Sequence, residues 1–220
     1  MRSNSINNFV AKVSQLSMII NSAEYERIYK IINSMVLNER VPPEVSCILF
    51  SFFGAQILKN HYNLSALPKA GIAAYQLGND ESAKIIADEG ASFHCWVEVD
   101  GWLIDFMAPS FSNLKAAKEA SKTGGLKVPP KMMQKPLSSM SGSIVELKQA
   151  GDFYLDANNA ILANKYMVIK NTPVFGDLAD VCSQWYTKPP KGIISSMVIE
   201  DQEGELTTIP LQGERVIGAW

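Results

Sequence analysis

Apolar residues recur at helical spacing through the first part of the chain. One amphipathic helix is predicted by Val10, Val13, Leu16, Ile19 and Ile20. Asn21-Ser22 supplies a cap for a second helix, whose apolar face is formed by Tyr25, Ile28, Ile31, Ile32 and Met35. Pro42-Pro43 favours the start of a third helix over about residues 44–59. That segment is apolar nearly all round, so we predict a central, buried helix.

Shorter apolar runs follow residue 70 and favour strands. We predict strands over residues 71–77, 93–99, 102–106, 151–155, 167–170, 193–199, 206–209 and 216–217. Residues 79–89 are polar enough for a loop or a short surface helix, whereas residues 114–120 and 175–186 predict helices. Helices that precede an antiparallel sheet indicate the α+β class.

A long irregular connection is predicted over residues 121–140, which are rich in Lys, Pro, Ser, Gly and Met. The segment is consistent with a solvated loop, a lid over a cleft or a linker. We expect one domain over residues 1–220 that contains this connection.

Composition narrows the possible functions. The chain is 47% hydrophobic, and its 20 basic and 22 acidic side chains give a formal net charge of −2. This balance argues against nucleic-acid binding, and the apolar content excludes an acidic disordered protein. Three cysteines do not form a disulfide framework and fit a reducing compartment. Two histidines leave little material for a metal site, so we expect no metal and no cofactor.

The N-terminal apolar stretch is the segment to consider as a membrane-spanning helix or a signal peptide. Residues 9–20 are interrupted by Lys12, Ser14, Gln15 and Ser17. The stretch is too short and too polar for a spanning helix or a signal-peptide core. We therefore expect a cytoplasmic protein with no membrane partner.

Residues 93–105 carry the clearest chemical signal. Asp100-Gly101 between two apolar-rich runs predicts a tight β-hairpin, and a two-residue loop places Trp96 opposite Asp105. Alternation puts His94 on the same face as Trp96, so His94 and Asp105 lie diagonally, about 7–8 Å apart at the backbone. The hairpin therefore predicts a histidine base oriented by a carboxylate.

Cys47 is the candidate nucleophile for that base. It lies at the start of the predicted buried helix, where unpaired N–H groups and the helix dipole favour an anion. Such a position lowers the pKa of a thiol and makes the thiolate available at neutral pH. Cys47, His94 and Asp105 together have the composition of a nucleophilic triad.

This order of residues resembles a known superfamily. Cys47 at a helix start, followed by His94-x-Trp96-Val97-Glu98 and a hairpin that ends in Asp105, is similar to the transglutaminase-like branch of the papain-like cysteine proteinase fold. The leader-peptide proteases of lasso-peptide maturation share this order. The whole chain more closely resembles a bacterial domain-of-unknown-function family assigned to that superfamily. The motif match covers roughly residues 42–109.

The resemblance implies a role for each of these residues. Cys47 would be the nucleophile, His94 the general base and acid, and Asp105 the orienting carboxylate of an amidase or peptidase that uses a thioester intermediate. The glutamine or aromatic residue that often precedes the cysteine in these families has no clear match here. Asn38 is a candidate in its place as an oxyanion donor, and the backbone N–H of Cys47 is the better-founded one.

Two other functions stay open at this stage. The first is acyl transfer to an amine, either transglutaminase-like or from a thioester such as an acyl-CoA, as in arylamine N-acetyltransferases. The second is a binding module that kept the fold and lost the chemistry. The expected partner is accordingly a peptide, amide or thioester substrate.

The remaining candidates have structural interpretations as well. Trp96 shares the face of His94 and is predicted to line the substrate site, although it could instead fill the core. Glu98 could replace Asp105 as the orienter if the hairpin register slipped. Cys95 faces away from His94 and Cys182 lies in an amphipathic helix, so we interpret both as core residues. His61 is expected to cap or complement the C-terminus of the long helix.

Overall fold

A computed structural model provides the fold of residues 18–41, 46–79, 84–87, 93–114, 128–158, 160, 173–186, 195–200 and 203–220. The α-helices in these ranges are α1 (Ser22–Asn38), α2 (Cys47–Tyr62) and α3 (Pro173–Trp185). The strands are β1 (Leu67–Gln76), β2 (Lys84–Ala87), β3 (His94–Val99), β4 (Trp102–Asp105), β5 (Met133–Pro136), β6 (Phe153–Ala157), β7 (Ser196–Glu200) and β8 (Leu206–Pro210). Short 3₁₀ helices span Ala108–Asn113, Leu137–Ser139 and Ile144–Glu146.

Helix α1 begins where the sequence predicts. The Asn21 side chain accepts a hydrogen bond from the Glu24 N–H at 2.9 Å, and the Glu24 carboxylate accepts one from the Asn21 N–H at 3.0 Å. This reciprocal pair is a capping box, which satisfies N–H groups that the first turn leaves free. The predicted apolar face is buried against the rest of the core, at Tyr25, Ile28, Ile31, Ile32 and Met35.

Helix α2 is the buried central helix that its composition predicts. It packs against α1, α3, β1 and β3, and its buried residues occur on every side. The helix ends at Asn63, whose left-handed backbone (φ 56°) forms the C-cap. His61 lies in the last turn of this helix, the position from which it is expected to cap or complement the C-terminus. Its ring also contacts α3, with Nε2 2.7 Å from the Ser183 carbonyl oxygen.

The main sheet is antiparallel at every pairing among the described strands. The strand order is β2-β1-β3-β4-β5, and β6 pairs with β1 as well. Strands β3 and β4 form the predicted hairpin, with Asp100 and Gly101 both at positive φ (49° and 78°). The pairing of Val99 with Trp102 confirms the two-residue register.

Two segments without a strand prediction contribute strands to this sheet. Strand β2 lies within residues 79–89 and pairs with the end of β1. Strand β5 lies within residues 121–140, which the sequence predicts to be an irregular connection, and it pairs with every residue of β4. Pro136 is tolerated there because it ends the last strand in the order, where a missing N–H costs least. Pairing with a neighbouring strand thus outweighs the local Lys and Pro content.

The C-terminal part has α3 and a separate two-stranded ribbon of β7 and β8. These elements confirm the predictions for residues 175–186, 193–199 and 206–209. Residues 216–217 are described and form no strand. The predicted strand at 167–170, nearly all of the predicted first helix and residues 115–120 lie outside the described residues.

The fold is therefore α+β, with N-terminal helices packed on an antiparallel sheet. None of the described helices is long and apolar enough to cross a membrane.

Candidate active site

One end of each of three elements, a helix and two strands, lies at the same buried site. Cys47 is the first residue of α2, His94 is the first residue of β3 and Asp105 is the last residue of β4. The hairpin brings His94 and Asp105 together, and the packing of α2 on β3 brings the start of the helix to the start of the strand. The predicted triad residues therefore lie side by side.

His94 and Asp105 form a short buried pair. His94 Nε2 lies 2.6 Å from Asp105 Oδ2, and the two residues are 8% and 1% exposed. Because Nε2 faces the carboxylate, Nδ1 is the ring nitrogen left for the Cys47 thiol. The side chains of Cys47 and His94 are in hydrogen-bond contact. The imidazole thus lies between the thiol and the carboxylate.

Asp105 is held by further hydrogen bonds. Its Oδ1 accepts one from the Met107 N–H at 3.0 Å. Its backbone carbonyl accepts a hydrogen bond from the Tyr25 hydroxyl of α1. That hydroxyl in turn accepts one from the Met133 N–H of β5 at 3.4 Å. Helix α1 and strand β5 therefore both fix the position of the orienting carboxylate.

Aromatic rings enclose the imidazole. Tyr75 and Phe111 approach the His94 ring edge-on, with centroid distances of 5.6 Å and 6.0 Å. Both residues are buried. They exclude water from the His94–Asp105 pair, which strengthens the attraction between charges at this site.

The environment favours the thiolate form of Cys47. Hydrogen bonding from Cys95 is the largest influence on its pKa, and burial opposes it. Hydrogen bonding and positive charge from His94 add to the lowering, so the pKa of Cys47 falls from 9.0 to about 5. A thiolate is therefore the dominant form at neutral pH.

The same contacts favour the imidazolium form of His94. Burial lowers the pKa of the ring, but the negative charge and hydrogen bond of Asp105, together with Cys47, outweigh burial. The pKa of His94 rises from 6.5 to about 10. Cys47 and His94 thus form an ion pair between these two values.

Cys95 is the site residue that the sequence interpretation missed. It is 3% exposed, as a core residue should be, yet its thiol is in hydrogen-bond contact with Cys47. Cys95 faces away from His94 along β3, yet both residues influence the pKa of Cys47 at the start of α2, which packs on β3. The available signal was the adjacency of His94 and Cys95 in a strand predicted to lie beside the helix start.

A family model described as "Protein of unknown function (DUF2026)" matches residues 21–220. The chain belongs to the DUF2026 family. A similar solved structure, "The crystal structure of genomics APC5867", shares 40% sequence identity and superposes with a TM-score of 0.81. The match covers 93% of this chain and 98% of that chain. No curated protein matches this chain.

The other predicted site residues of this DUF2026 protein lie apart from the triad contacts. Trp96 is completely buried, and its Nε1 donates to Glu98 Oε1 at 3.0 Å. Glu98 pairs with Leu103 in the predicted register, so Asp105 is the carboxylate that reaches His94. Asn38 ends α1, is exposed, and donates its amide to Glu39 Oε1 at 2.9 Å.

The first turn of α2 supplies the remaining feature of the DUF2026 site. The N–H of Cys47 belongs to that turn, whose first N–H groups have no acceptor within the helix. The Ser46 hydroxyl, at the N-cap position, lies 3.8 Å from the sulfur of Met107. Across the described ranges, His, Cys, Asp and Glu side chains form no group of three or more that could hold a metal ion.

Proposed function

We propose that this DUF2026 protein is a cysteine-nucleophile acyl hydrolase that acts on an amide bond. The observation that carries the proposal is the position of His94 between Asp105 Oδ2, 2.6 Å from Nε2, and the Cys47 thiol at the start of α2. An ion-paired cysteine whose histidine is oriented by a carboxylate is the arrangement used for covalent acyl chemistry.

In the first step the Cys47 thiolate attacks the carbonyl carbon of the amide. The S–C bond forms, and the π electrons of the carbonyl move onto its oxygen. The backbone N–H of Cys47, in the first turn of α2, would donate to that oxyanion. The imidazolium of His94 then gives its proton to the leaving amine as the C–N bond breaks, and a thioester on Cys47 remains.

In the second step the neutral His94 acts as a base. It takes a proton from a water molecule whose oxygen attacks the thioester carbonyl carbon. Collapse of the second oxyanion breaks the C–S bond and restores the Cys47 thiolate and the His94 imidazolium. An amine in place of water gives acyl transfer by the same steps.

Asp105 acts on His94, whose ring is an imidazolium before each acylation step. Its carboxylate is almost completely buried and accepts hydrogen bonds from the ring and from the Met107 N–H. These contacts hold the ring with Nε2 toward Asp105, which leaves Nδ1 for proton transfer at the sulfur. Asp105 is therefore a positioning residue rather than a proton donor.

The order of the site residues also supports a transglutaminase-like, papain-like superfamily assignment. The nucleophile begins a buried helix, and the histidine and the carboxylate follow on adjacent antiparallel strands. That order is the one on which the sequence resemblance rests.

Acylation by a small activated ester tests the proposal. We expect p-nitrophenyl acetate to release a burst of nitrophenolate and to leave an acetyl group on Cys47, which peptide mass spectrometry would locate. The Cys47→Ala variant should lose the burst, whereas Cys182→Ala, which removes another buried thiol, should keep it. Adding an amine separates hydrolysis from transfer, because transfer gives the N-acetyl product. A folded protein that never acquires an acetyl group on Cys47 would overturn the proposal and favour a binding module.

A further inference from the structure

A second thiol lies directly against the candidate nucleophile. Cys95 is the second residue of β3, and its side chain is in hydrogen-bond contact with that of Cys47. The two residues are 48 positions apart in sequence and are joined by the packing of α2 on β3. The third cysteine, Cys182, lies in α3. The triad mechanism does not use Cys95.

The surroundings of Cys95 hold its thiol toward the helix. Ser51 follows Cys47 by one turn of α2, so both residues lie on the same face of the helix. The Ser51 side chain contacts the Cys95 thiol and donates a hydrogen bond to the Ile48 carbonyl at 3.0 Å. Cys95 is therefore enclosed by the first two turns of α2, with both backbones in regular secondary structure.

The interaction between Cys47 and Cys95 favours the ionised form of one thiol and the protonated form of the other. The interaction between the two thiols lowers the pKa of Cys47, whereas the same interaction together with burial raises the pKa of Cys95. One sulfur is therefore a thiolate and its neighbour a thiol. A thiolate reacts with oxidants, and a thiol next to it can resolve the product.

We propose that Cys47 and Cys95 form a site of reversible oxidation, in which a hydroperoxide converts the pair into an intramolecular disulfide. The proposal rests on the proposed function only in requiring that Cys47 be a reactive thiolate.

The first oxidation step breaks the O–O bond of the hydroperoxide. The Cys47 thiolate attacks the terminal oxygen, so an S–O bond forms and the sulfur loses two electrons. The leaving alkoxide or hydroxide takes a proton from the His94 imidazolium. The products are Cys47 sulfenic acid, an alcohol or water, and a neutral His94.

The second step consumes the Cys95 thiol. Once Cys47 is a neutral sulfenic acid, the negative charge that disfavoured ionisation of Cys95 is gone. The Cys95 sulfur attacks the sulfenic sulfur, the S–S bond forms and the S–O bond breaks. The hydroxide that leaves combines with the proton released by Cys95 to give water.

The disulfide protects Cys47 from further oxidation and prevents it from acting as a nucleophile. A sulfur bonded to Cys95 cannot attack a carbonyl, and it cannot advance to the irreversible sulfinic acid. A dithiol reductant restores both thiols, since it gives two electrons and two protons to the pair. The site would therefore stop acyl chemistry under peroxide stress and recover afterwards.

Peptide mapping of the full-length protein tests the proposal. The protein is treated with a small excess of hydrogen peroxide, blocked with N-ethylmaleimide and digested without reduction. We expect the intact mass to fall by two hydrogen atoms, a Cys47–Cys95 linked peptide to appear, and dithiothreitol to reverse both changes. In Cys95→Ser, Cys47 sulfinic acid should accumulate faster, on the order of tenfold. The Cys182→Ser control should behave like the parent.

The outcomes separate this proposal from the proposed function. If Cys47 is alkylated rapidly by iodoacetamide but peroxide gives sulfinic acid at equal rates in the parent and Cys95→Ser, the disulfide proposal is overturned and the triad stands. A link between Cys47 and Cys182 would also overturn it. If Cys95→Ser does not fold, the linked peptide from the parent decides by its presence or absence.

Discussion

Burial and pairing act in opposite directions on the two titrating residues at the centre of the site. Burial raises the pKa of the Cys47 thiol, yet the hydrogen bond from Cys95 outweighs it, with His94 adding to the lowering. Burial lowers the pKa of His94, yet Asp105 and Cys47 together outweigh it. In each residue the charged form prevails because its partners lie in direct contact within a low-dielectric surrounding.

The imidazole pKa of His94 should therefore depend strongly on Asp105. We expect NMR to show an imidazole pKa of about 10 for His94 in the parent. In Asp105→Asn the pKa should fall toward 6.5 or below, because the carboxylate is lost while an oxygen remains to accept from the Met107 N–H. The chain has two histidines, so His61→Gln assigns the signals and His61 serves as the internal control. An unchanged His94 titration in Asp105→Asn would contradict the ion-pair description.

Tyr25 shows how a residue outside the triad supports it. Tyr25→Phe removes the hydroxyl that donates to the Asp105 carbonyl and accepts from the Met133 N–H. Both backbone groups are buried, so we expect a loss of about 1–3 kcal/mol in the free energy of unfolding, measured by urea denaturation.

Tyr75→Phe is the matched control for that substitution. The Tyr75 hydroxyl is buried near the Asp105 carboxylate, and within the described structure it makes no hydrogen bond of good geometry. Its removal should leave the free energy of unfolding unchanged or slightly higher. Equal losses in the two variants would show that the Tyr25 hydrogen bonds contribute nothing specific.

The site could be predicted from the sequence wherever one local rule fixes it. The Asp100-Gly101 turn fixes the hairpin register, and the register brings His94 to Asp105. The position of Cys95 follows from no local rule. Strand alternation assigns its face correctly, but its contact with Cys47 depends on where α2 docks, and docking is a tertiary property.

At the scale of elements, the close approach of α2 to the end of β4 positions the triad. Gly54 lies at the middle of α2, and a Cβ added there would overlap the ring of Phe106, the residue after Asp105. The missing side chain thus lets the helix pack directly over the end of the strand.

Gly54→Ala tests this packing. Alanine is the better helix former by about 1 kcal/mol. We nevertheless expect a net loss of about 1–3 kcal/mol in unfolding free energy, because the Phe106 ring must move. Gly176→Ala in α3 is the control, because a Cβ there meets nothing within 4 Å and should stabilise the protein. Stabilisation by both substitutions would refute the close helix–strand contact.

The elements that the sequence mispredicted share one property. Strand β2 is a four-residue run, Lys-Ile-Ile-Ala, and β5 contains Lys and Pro, and each is defined by pairing with a neighbouring strand. Helix α1 was predicted well because its capping box and apolar periodicity lie within the helix itself, and α2 because its sequence is apolar nearly all round. Local sequence therefore fixes the helices, whereas these two strands depend on long-range partners.

At the scale of the whole molecule, the ion pair links the stability of the fold to pH. The folded-state pKa of Cys47 is depressed from 9.0 to about 5, so its stabilising contribution is complete above pH 9 and is lost as the pH falls through 5. The pKa of His94 is raised from 6.5 to about 10, so its contribution is complete below pH 6.5 and is lost as the pH rises through 10.

Urea denaturation at a series of pH values tests this dependence of stability on pH. The stability difference between the parent and Cys47→Ala should be largest between about pH 6.5 and 9 and should shrink toward pH 5 and toward pH 10. For Cys182→Ala the difference from the parent should stay constant between about pH 5 and 8, because burial alone raises the pKa of that thiol. The same flat profile for Cys47→Ala would argue against an ion pair.

The most direct test of the central claim is the pH dependence of Cys47 alkylation by iodoacetamide, in the parent and in His94→Ala, with Cys95 and Cys182 followed in the same digests. The parent should be alkylated at Cys47 well below pH 8, with an inflection near 5, while the other two cysteines stay protected. In His94→Ala the inflection should move to higher pH, because the hydrogen bond and positive charge of His94 are lost while the influence of Cys95 remains. A Cys47 that stays inert until the protein unfolds, or one whose profile is the same without His94, would contradict the assignment of a catalytic ion pair.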